Sequence, residues 1–215
     1  MAKPRETVIR AYKRELVNVI HAHKMATDDR DIKALIACFA RIHQLPLQIH
    51  PNYDSWGTAH FMREFDSKKA HLSPADLKLV KPVAEAFFRI PWSALPKGII
   101  HGDLQRAHVL KNKKGKYCIL DLGCLDYNAL ILDLAIFIAL FCFELKSKKA
   151  DEKRYALTIR EYNKIRPLNS LELQALPLLI KATLASYLMA ANEALKIKKD
   201  KSQQTQSWLV LSRKG

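Results

Sequence analysis

Apolar residues in the first part of the chain recur every three or four positions, which is the period of an amphipathic helix. The pattern predicts one helix within residues 1–30 and a second from Asp31 to His43. Asp28 or Asp29 stands where an N-cap of the second helix is expected.

The same period continues in the rest of the chain. Ser73 followed by Pro74 is typical of a helix start, and this helix should extend to about Arg89. Three further helices are predicted: Asp133 to about Lys146, 151–165 and 170–197. The first of these is too short to span a bilayer and is expected to be buried, so no membrane partner is predicted.

Short β-type runs interrupt the helices in the middle of the chain, at Ile99-Ile100, Val109-Leu110 and Tyr117 to Leu120. The last two flank a Lys-rich segment that contains the Asn and Gly of a tight turn, which predicts a hairpin. The hairpin should bring a loop after Ile100 beside a loop that begins at Asp121. The expected fold class is therefore α+β and mostly helical, with a small β-hairpin carrying two loops.

Composition indicates the size and the redox environment of the protein more clearly than its function. The 215 residues suit one domain with a substantial core. The net charge of +15 makes an anionic partner worth considering, but the lysines are spread along the chain and no nucleic-acid module is recognisable, so no specific nucleic acid is predicted. The four cysteines lack CxxC spacing, which favours a reduced, cytoplasmic protein. Cys118 and Cys142 lie in apolar runs and are expected in the core.

Two carboxylates stand at the ends of the hairpin region, Asp103 in the first loop and Asp121 in the second. Such a pair suits phosphoryl transfer, in which one carboxylate accepts the proton of the attacking hydroxyl and the other holds Mg²⁺ on the nucleotide phosphates. The alternative is that both residues only cap turns, as Asp often does.

The order and spacing of three motifs, His101-Gly-Asp103, Asp121-Leu-Gly123 and Leu132-Asp-Leu-Ala135, resemble the aminoglycoside phosphotransferase and choline kinase superfamily. The segments 95–101, 141–144 and 162–168 look closest to its homoserine kinase branch. The resemblance implies a protein-kinase-like C-terminal lobe over residues 31–197, after a helical extension at 1–30 and before a basic, poorly ordered tail at 198–215.

The resemblance also implies roles for individual residues. Asp103 would be the catalytic carboxylate, His101 would orient its loop by hydrogen bonds, and Asp121 would hold Mg²⁺ on ATP. The implied acceptor is a hydroxyl group of a small molecule. Asp133 is expected to act as an N-cap and loop tie rather than as a metal ligand.

The chain departs from the family pattern in three places. His108 stands where the family has an Asn as second metal and nucleotide-site ligand, and an imidazole is a poorer ligand of Mg²⁺ than an amide oxygen. Cys124 stands where many relatives have an acid, although Asp126 follows two residues later. No Gly-rich phosphate loop or β-rich nucleotide lobe is evident, so a separately encoded N-terminal lobe is a possible partner. These departures keep open an alternative, a catalytically inactive kinase-like module that binds a partner or ligand.

Overall fold

The computed structural model describes residues 28–46, 49–50, 53–112, 115–143 and 148–214. Within these ranges the chain is mostly helical with small antiparallel sheets, which confirms the α+β fold class. The helix predicted within residues 1–30 falls almost wholly outside the described residues.

Seven α-helices lie in the described part of the chain. They are α1 (Asp29–Ile42), α2 (Phe61–Lys68), α3 (Pro74–Phe88), α4 (Ile131–Phe137), α5 (Lys148–Asn163), α6 (Ser170–Lys196) and α7 (Gln203–Lys214). The strands are β1 (Lys97–Ile100), β2 (Val109–Lys111), β3 (Tyr117–Ile119) and β4 (Asp126–Ala129).

Side-chain caps fix where several helices begin. The Asp28 carboxylate accepts hydrogen bonds from the amides of Arg30 and Asp31, and the Ser73 hydroxyl accepts one from the Asp76 amide. Asn169 and Glu172 form a reciprocal capping box at the start of α6. Of the two candidates Asp28 and Asp29, Asp28 is thus the N-cap of α1, and Ser73 caps α3 at the predicted helix start.

Two small antiparallel sheets position the loops between them. β2 pairs with β3 in the predicted hairpin, with Val109 opposite Ile119. β1 pairs with β4, with Ile100 opposite Asp126, a pairing that the local sequence pattern did not indicate. Because β1 leads into the first loop and β4 leaves the second, this pairing holds the outer ends of both loops together.

The hairpin is also attached to the helical body through one buried carboxylate. Asp31 of α1 accepts a hydrogen bond from Lys111 Nζ, 2.6 Å from its Oδ1, and another from the Tyr117 hydroxyl. Asp31 is almost fully buried, so both strands of the hairpin are tied to α1 at a position shielded from water.

The core lies around α6, which packs against α2, α3, α4 and α7. Every residue of α4 is buried. α6 is long and apolar enough to cross a bilayer by length and composition, but 67% of its most apolar stretch is buried inside the protein. Burial of this kind is what the core helix of a globular domain requires.

The structure corrects the predicted extent of the helix near Asp133. α4 begins two residues earlier, at Ile131, and continues as a π-helical turn over Ile138–Cys142 before the chain becomes extended at Phe143. The Arg106 guanidinium donates to the carbonyls of Leu140 and Phe141, at 2.9 Å each. These hydrogen bonds satisfy two carbonyls that have no partner within the last turn, and they stabilise the end of the helix at Cys142.

Two further expectations were wrong. Cys118 is exposed on β3 because its side chain points away from the core, whereas Cys142 is buried as predicted. The end of the chain is not poorly ordered, since it forms α7, which packs on α6. Arg213 of α7 donates to both carboxylate oxygens of Asp76, at 2.8 and 2.9 Å, which fastens α7 to the start of α3.

Candidate active site

The first loop follows β1, and a carboxylate of α4 accepts hydrogen bonds from its backbone. The backbone amides of His101 and Gly102 donate to Asp133, at 2.7 Å to Oδ2 and 2.9 Å to Oδ1. Asp133 lies inside the first turn of α4, so it is not the N-cap of the helix, but it does tie the loop as expected. The Asp133 carboxylate is buried, and both of its oxygens accept hydrogen bonds.

A further contact links Asp133 to α1. His43, at the C-terminal end of α1, lies with Nε2 at 3.1 Å from Asp133 Oδ2 and Nδ1 at 2.7 Å from the Tyr162 hydroxyl. A neutral His43 that donates to Asp133 and accepts from Tyr162 satisfies both contacts. His43 is therefore a buried residue at the end of α1 that supports the loop through Asp133.

Asp103 is buried in the first loop, and both of its carboxylate oxygens are hydrogen-bonded. The Tyr187 hydroxyl donates to Oδ1 at 2.6 Å, and Gln105 Nε2 donates to Oδ2 at 3.0 Å. Burial, together with the negative charge of Asp103, raises the pKa of Tyr187 well above its usual value. The hydroxyl therefore keeps its proton and remains a donor to Asp103 throughout the physiological pH range.

The second loop begins at Asp121, which has a left-handed backbone with φ of 61°. Asp is one of the few residues other than Gly that adopts this conformation readily. The Asp121 side chain is 60% exposed, in contrast to the buried Asp103. The loop thus presents one carboxylate to solvent at the point where β3 ends.

Three contacts hold the two loops together. His108 Nδ1 lies 2.8 Å from the Asp103 carbonyl while its Nε2 lies 3.4 Å from Asp121 Oδ2. His101 Nε2 donates to the Leu120 carbonyl at 3.0 Å. At Gly102, whose φ is +81°, an added Cβ would lie 2.3 Å from the Cys124 carbonyl, so only glycine permits this approach.

The structure thus brings together the four site residues proposed from the sequence, His101, Asp103, His108 and Asp121. Asp103 and Asp121 lie on neighbouring loops, His108 contacts both, and the His101 and His108 rings stack with centroids 6.2 Å apart and planes 27° apart. His101 Nδ1 is buried and has no hydrogen-bond partner among the described residues. The catalytic and metal-binding roles of the four residues remain predictions.

Cys124 and Asp126 do not add an available ligand to this group of four residues. Burial raises the pKa of the Cys124 thiol, with further contributions from the charges of Asp54 and Asp103, so the thiol stays neutral. Asp126 is buried, and its two oxygens accept hydrogen bonds from the Tyr127 amide and from the Asn128 side chain. Asp126 therefore shapes the start of β4.

An aromatic cluster lies behind Asp103 and was not found from the sequence. Trp56, Tyr187 and Trp208 contact one another, with ring centroids 5.3 to 6.1 Å apart. Trp208 belongs to α7, so the last helix packs directly on the residue that hydrogen-bonds Asp103. Tyr187 is 84 positions from Asp103 in the chain, and no local pattern of sequence indicates such a contact.

The ligands available for a divalent cation are few. The described part of the chain contains no group of three or more His, Cys, Asp and Glu side chains that could hold a metal. Asp121 and His108 offer one carboxylate oxygen and one ring nitrogen, so the remaining positions would fall to nucleotide phosphates and water. The carboxylate suits Mg²⁺, whereas the imidazole is not a ligand that Mg²⁺ favours.

Known proteins of similar sequence are kinases. The chain is 31% identical over 107 residues to homoserine kinase of Brucella anthropi, covering 48% of this chain and 32% of that one. It is 29% identical over 141 residues to homoserine kinase of Parvibaculum lavamentivorans, covering 64% and 42%. The chain thus spans less than half the length of the curated relatives that it matches.

Solved structures show the same fold at low sequence identity. An amicoumacin kinase, in a complex with AMP-PNP, Ca²⁺ and Ami, aligns with a TM-score of 0.64 at 13% identity, covering 89% of this chain and 59% of that one. Choline kinase of Streptococcus pneumoniae aligns with a TM-score of 0.58 at 10% identity, covering 86% and 63%. These matches confirm the kinase-like fold.

The family model described as "Phosphotransferase enzyme family" matches residues 7–168, which include both loops, the hairpin and α4. This match covers well over half of the chain and confirms the resemblance at the level of the superfamily. On this evidence the chain belongs to the phosphotransferase enzyme family that includes the aminoglycoside phosphotransferases.

Proposed function

We propose that this chain carries the catalytic loops of an ATP-dependent kinase that phosphorylates a hydroxyl group of a small molecule. The observation that carries the proposal is the arrangement of the two loops, in which His108 contacts both the Asp103 loop and Asp121. One buried, oriented carboxylate beside one exposed carboxylate is the combination that phosphoryl transfer needs.

Asp103 would accept the proton of the acceptor hydroxyl as that oxygen attacks the γ-phosphate of ATP. Tyr187 and Gln105 each donate to one of its oxygens, which fixes the carboxylate plane. His101 would keep the two loops in register through its hydrogen bond to the Leu120 carbonyl. A general base held in this way increases the rate by a factor of about 10² to 10⁴.

Asp121 and His108 would hold the divalent cation of the nucleotide. When bound, such a cation neutralises the charge that develops on the phosphates. Before β1 the described residues form helices and contain no strand, so further nucleotide contacts would come from outside the described residues. A separate N-terminal lobe remains a candidate partner for that purpose.

Homoserine is the first acceptor to test, because the relatives of similar sequence described above are homoserine kinases. Choline and an aminoglycoside should be tested beside it. Several acceptors are needed because the matched region covers only 32% and 42% of those two relatives.

The experiment is transfer of labelled phosphate from ATP to these acceptors by the purified chain, alone and with added N-terminal lobe from a homoserine kinase. Asp103→Asn should reduce transfer about 10³-fold, because the amide retains the shape of the side chain but cannot accept the proton. Asp66→Asn is the matched control, since Asp66 is an exposed carboxylate on α2. Transfer that survives Asp103→Asn, or that is absent under all conditions, would refute the proposal.

The second candidate is a kinase-like module without catalytic activity. The specific observation that favours it is His108 at the position of the second metal ligand. It predicts binding of a nucleotide or a partner with no transfer, and therefore no effect of Asp103→Asn on any product. The same labelled-phosphate assay separates the two candidates.

A further inference from the structure

The hydrogen bonding of His108 determines which of its nitrogens can bind a ligand. Nδ1 lies 2.8 Å from the Asp103 carbonyl oxygen, which can only accept a hydrogen bond. Nδ1 must therefore carry a proton and donate it. In the neutral ring this leaves Nε2 unprotonated, with its lone pair directed away from the Asp103 loop.

That lone pair has a carboxylate as its neighbour. Nε2 lies 3.4 Å from Asp121 Oδ2, and in this tautomer both atoms are acceptors. Two ligand atoms at about 2.1 Å from one metal ion are about 3.0 Å apart at an octahedral angle and about 3.4 Å apart at a tetrahedral one. The pair is thus spaced as two ligands of a single cation.

The surroundings hold this pair in place while leaving one side open. The His108 side chain is only 14% exposed and stacks on His101, and its Nδ1 hydrogen bond is a contact that orients metal-binding histidines. The Asp121 side chain is 60% exposed. Solvent and phosphate oxygens can therefore reach the pair from the side of Asp121.

We propose that the site prefers a divalent transition ion of the Co²⁺ and Zn²⁺ class to Mg²⁺, bound together with the nucleotide. This inference rests on the proposed function, because the phosphates complete the coordination of the ion. Its basis is ligand chemistry: Mg²⁺ binds oxygen ligands almost exclusively, whereas imidazole nitrogen suits Co²⁺ and Zn²⁺. His108 in place of an amide therefore changes the metal that the site selects.

The first test compares the affinity of the chain for preformed Co²⁺ and Mg²⁺ complexes of AMP-PNP by isothermal titration. The preference for Co²⁺ over Mg²⁺ should fall about tenfold or more in His108→Asn, which restores an amide oxygen. His71→Asn is the matched control, since it makes the same change in the 3₁₀ turn before α3. The control should keep the preference of the wild-type chain.

The second test detects the nitrogen ligand directly and does not depend on turnover. In the Co²⁺ and AMP-PNP complex, the proton on Nδ1 of a coordinated His108 should give a paramagnetically shifted NMR signal that disappears in D₂O. The signal should be absent in His108→Asn and present in His71→Asn. Its absence from the folded wild-type complex would overturn the proposal and would indicate an ion pair between His108 and Asp121 instead.

The outcomes separate this inference from the proposed kinase activity. Equal affinity for the Co²⁺ and Mg²⁺ complexes, in a chain that still transfers phosphate, overturns the metal preference alone. A Co²⁺ preference with the shifted signal, in a chain that transfers no phosphate, supports the metal preference and refutes the activity. Binding of neither complex overturns the metal preference.

Discussion

Asp133→Asn provides the sharpest test of how the first loop, which carries Asp103, is supported. The Asp133 carboxylate is 2% exposed and accepts hydrogen bonds from two backbone amides, those of His101 and Gly102, and one from His43. The substitution keeps the shape of the side chain but replaces one acceptor oxygen with an NH₂ group. Neither of the two possible amide orientations satisfies all three donors.

If the Asn oxygen takes the place of Oδ1, the NH₂ group faces the His101 amide, which then has no acceptor. His43 can adapt by changing tautomer, but a backbone amide cannot. If the oxygen takes the place of Oδ2, the Gly102 amide is left unpaired. Each orientation therefore leaves one buried backbone N–H without a partner.

Losing a hydrogen bond to a charged acceptor costs about 1.5–3 kcal/mol, and an unpaired buried amide adds about 1–3 kcal/mol. Removing a buried charge offsets part of this cost. We therefore expect Asp133→Asn to lower the free energy of unfolding by about 2–4 kcal/mol.

The assay is urea denaturation followed by circular dichroism, with Asp121→Asn as the matched control. Asp121 undergoes the same chemical change on an exposed side chain, and Asn tolerates its left-handed backbone, so the control should stay within about 0.5 kcal/mol of wild type. A loss below about 1 kcal/mol in Asp133→Asn would show that the carboxylate does not support the loop as described.

Three other substitutions test separate contacts. Tyr187→Phe removes the hydroxyl that orients Asp103 and should lower kcat about tenfold with little change in KM for ATP, whereas an equal rise in KM alone would contradict an orienting role. Gly102→Ala should cost about 3 kcal/mol of unfolding free energy, because a Cβ at positive φ would meet a carbonyl oxygen, and calorimetry showing an unchanged Tm would contradict this. Arg213→Gln should lower the free energy of unfolding by about 1 kcal/mol at pH 7, because the Arg213 hydrogen bonds hold the pKa of Asp76 below its usual value. The loss is small because the Arg213 side chain is half exposed and its charge is screened by solvent. Because the pKa of Asp76 is lower in the folded state, this stabilisation is present above the unfolded pKa and is lost as the pH falls through the folded pKa. The unfolding free energies of the wild type and Arg213→Gln should therefore converge in acid and not at alkaline pH.

Features that depend on neighbouring residues could be predicted from the sequence. Asp28 and Ser73 cap the helices that were assigned to them, because a cap bonds amides two or three positions away. The β2 and β3 hairpin followed from two β-type runs around a turn of known composition. The order of the loops, and hence the proximity of Asp103 and Asp121, followed from the hairpin.

Features that depend on distant residues could not be predicted. Tyr187 lies 84 positions from Asp103, and Arg213 lies 137 positions from Asp76. Both contacts arise from the packing of helices, which hydrophobic periodicity alone does not specify. The end of the chain was predicted wrongly for the same reason. Its basic composition suggests disorder, but Arg213 forms hydrogen bonds to the buried Asp76, which is distant in sequence.

The left-handed backbone at Asp121 also constrains how this position can change during evolution. Most side chains are strained in that conformation, so Asn and Gly are the readily accepted replacements, and a single-nucleotide change converts an Asp codon to Asn. Such a change would remove the carboxylate that is proposed to hold the metal and would leave the backbone undisturbed. A lineage could therefore silence this site in one step and restore it by the reverse step, with the fold intact at both stages.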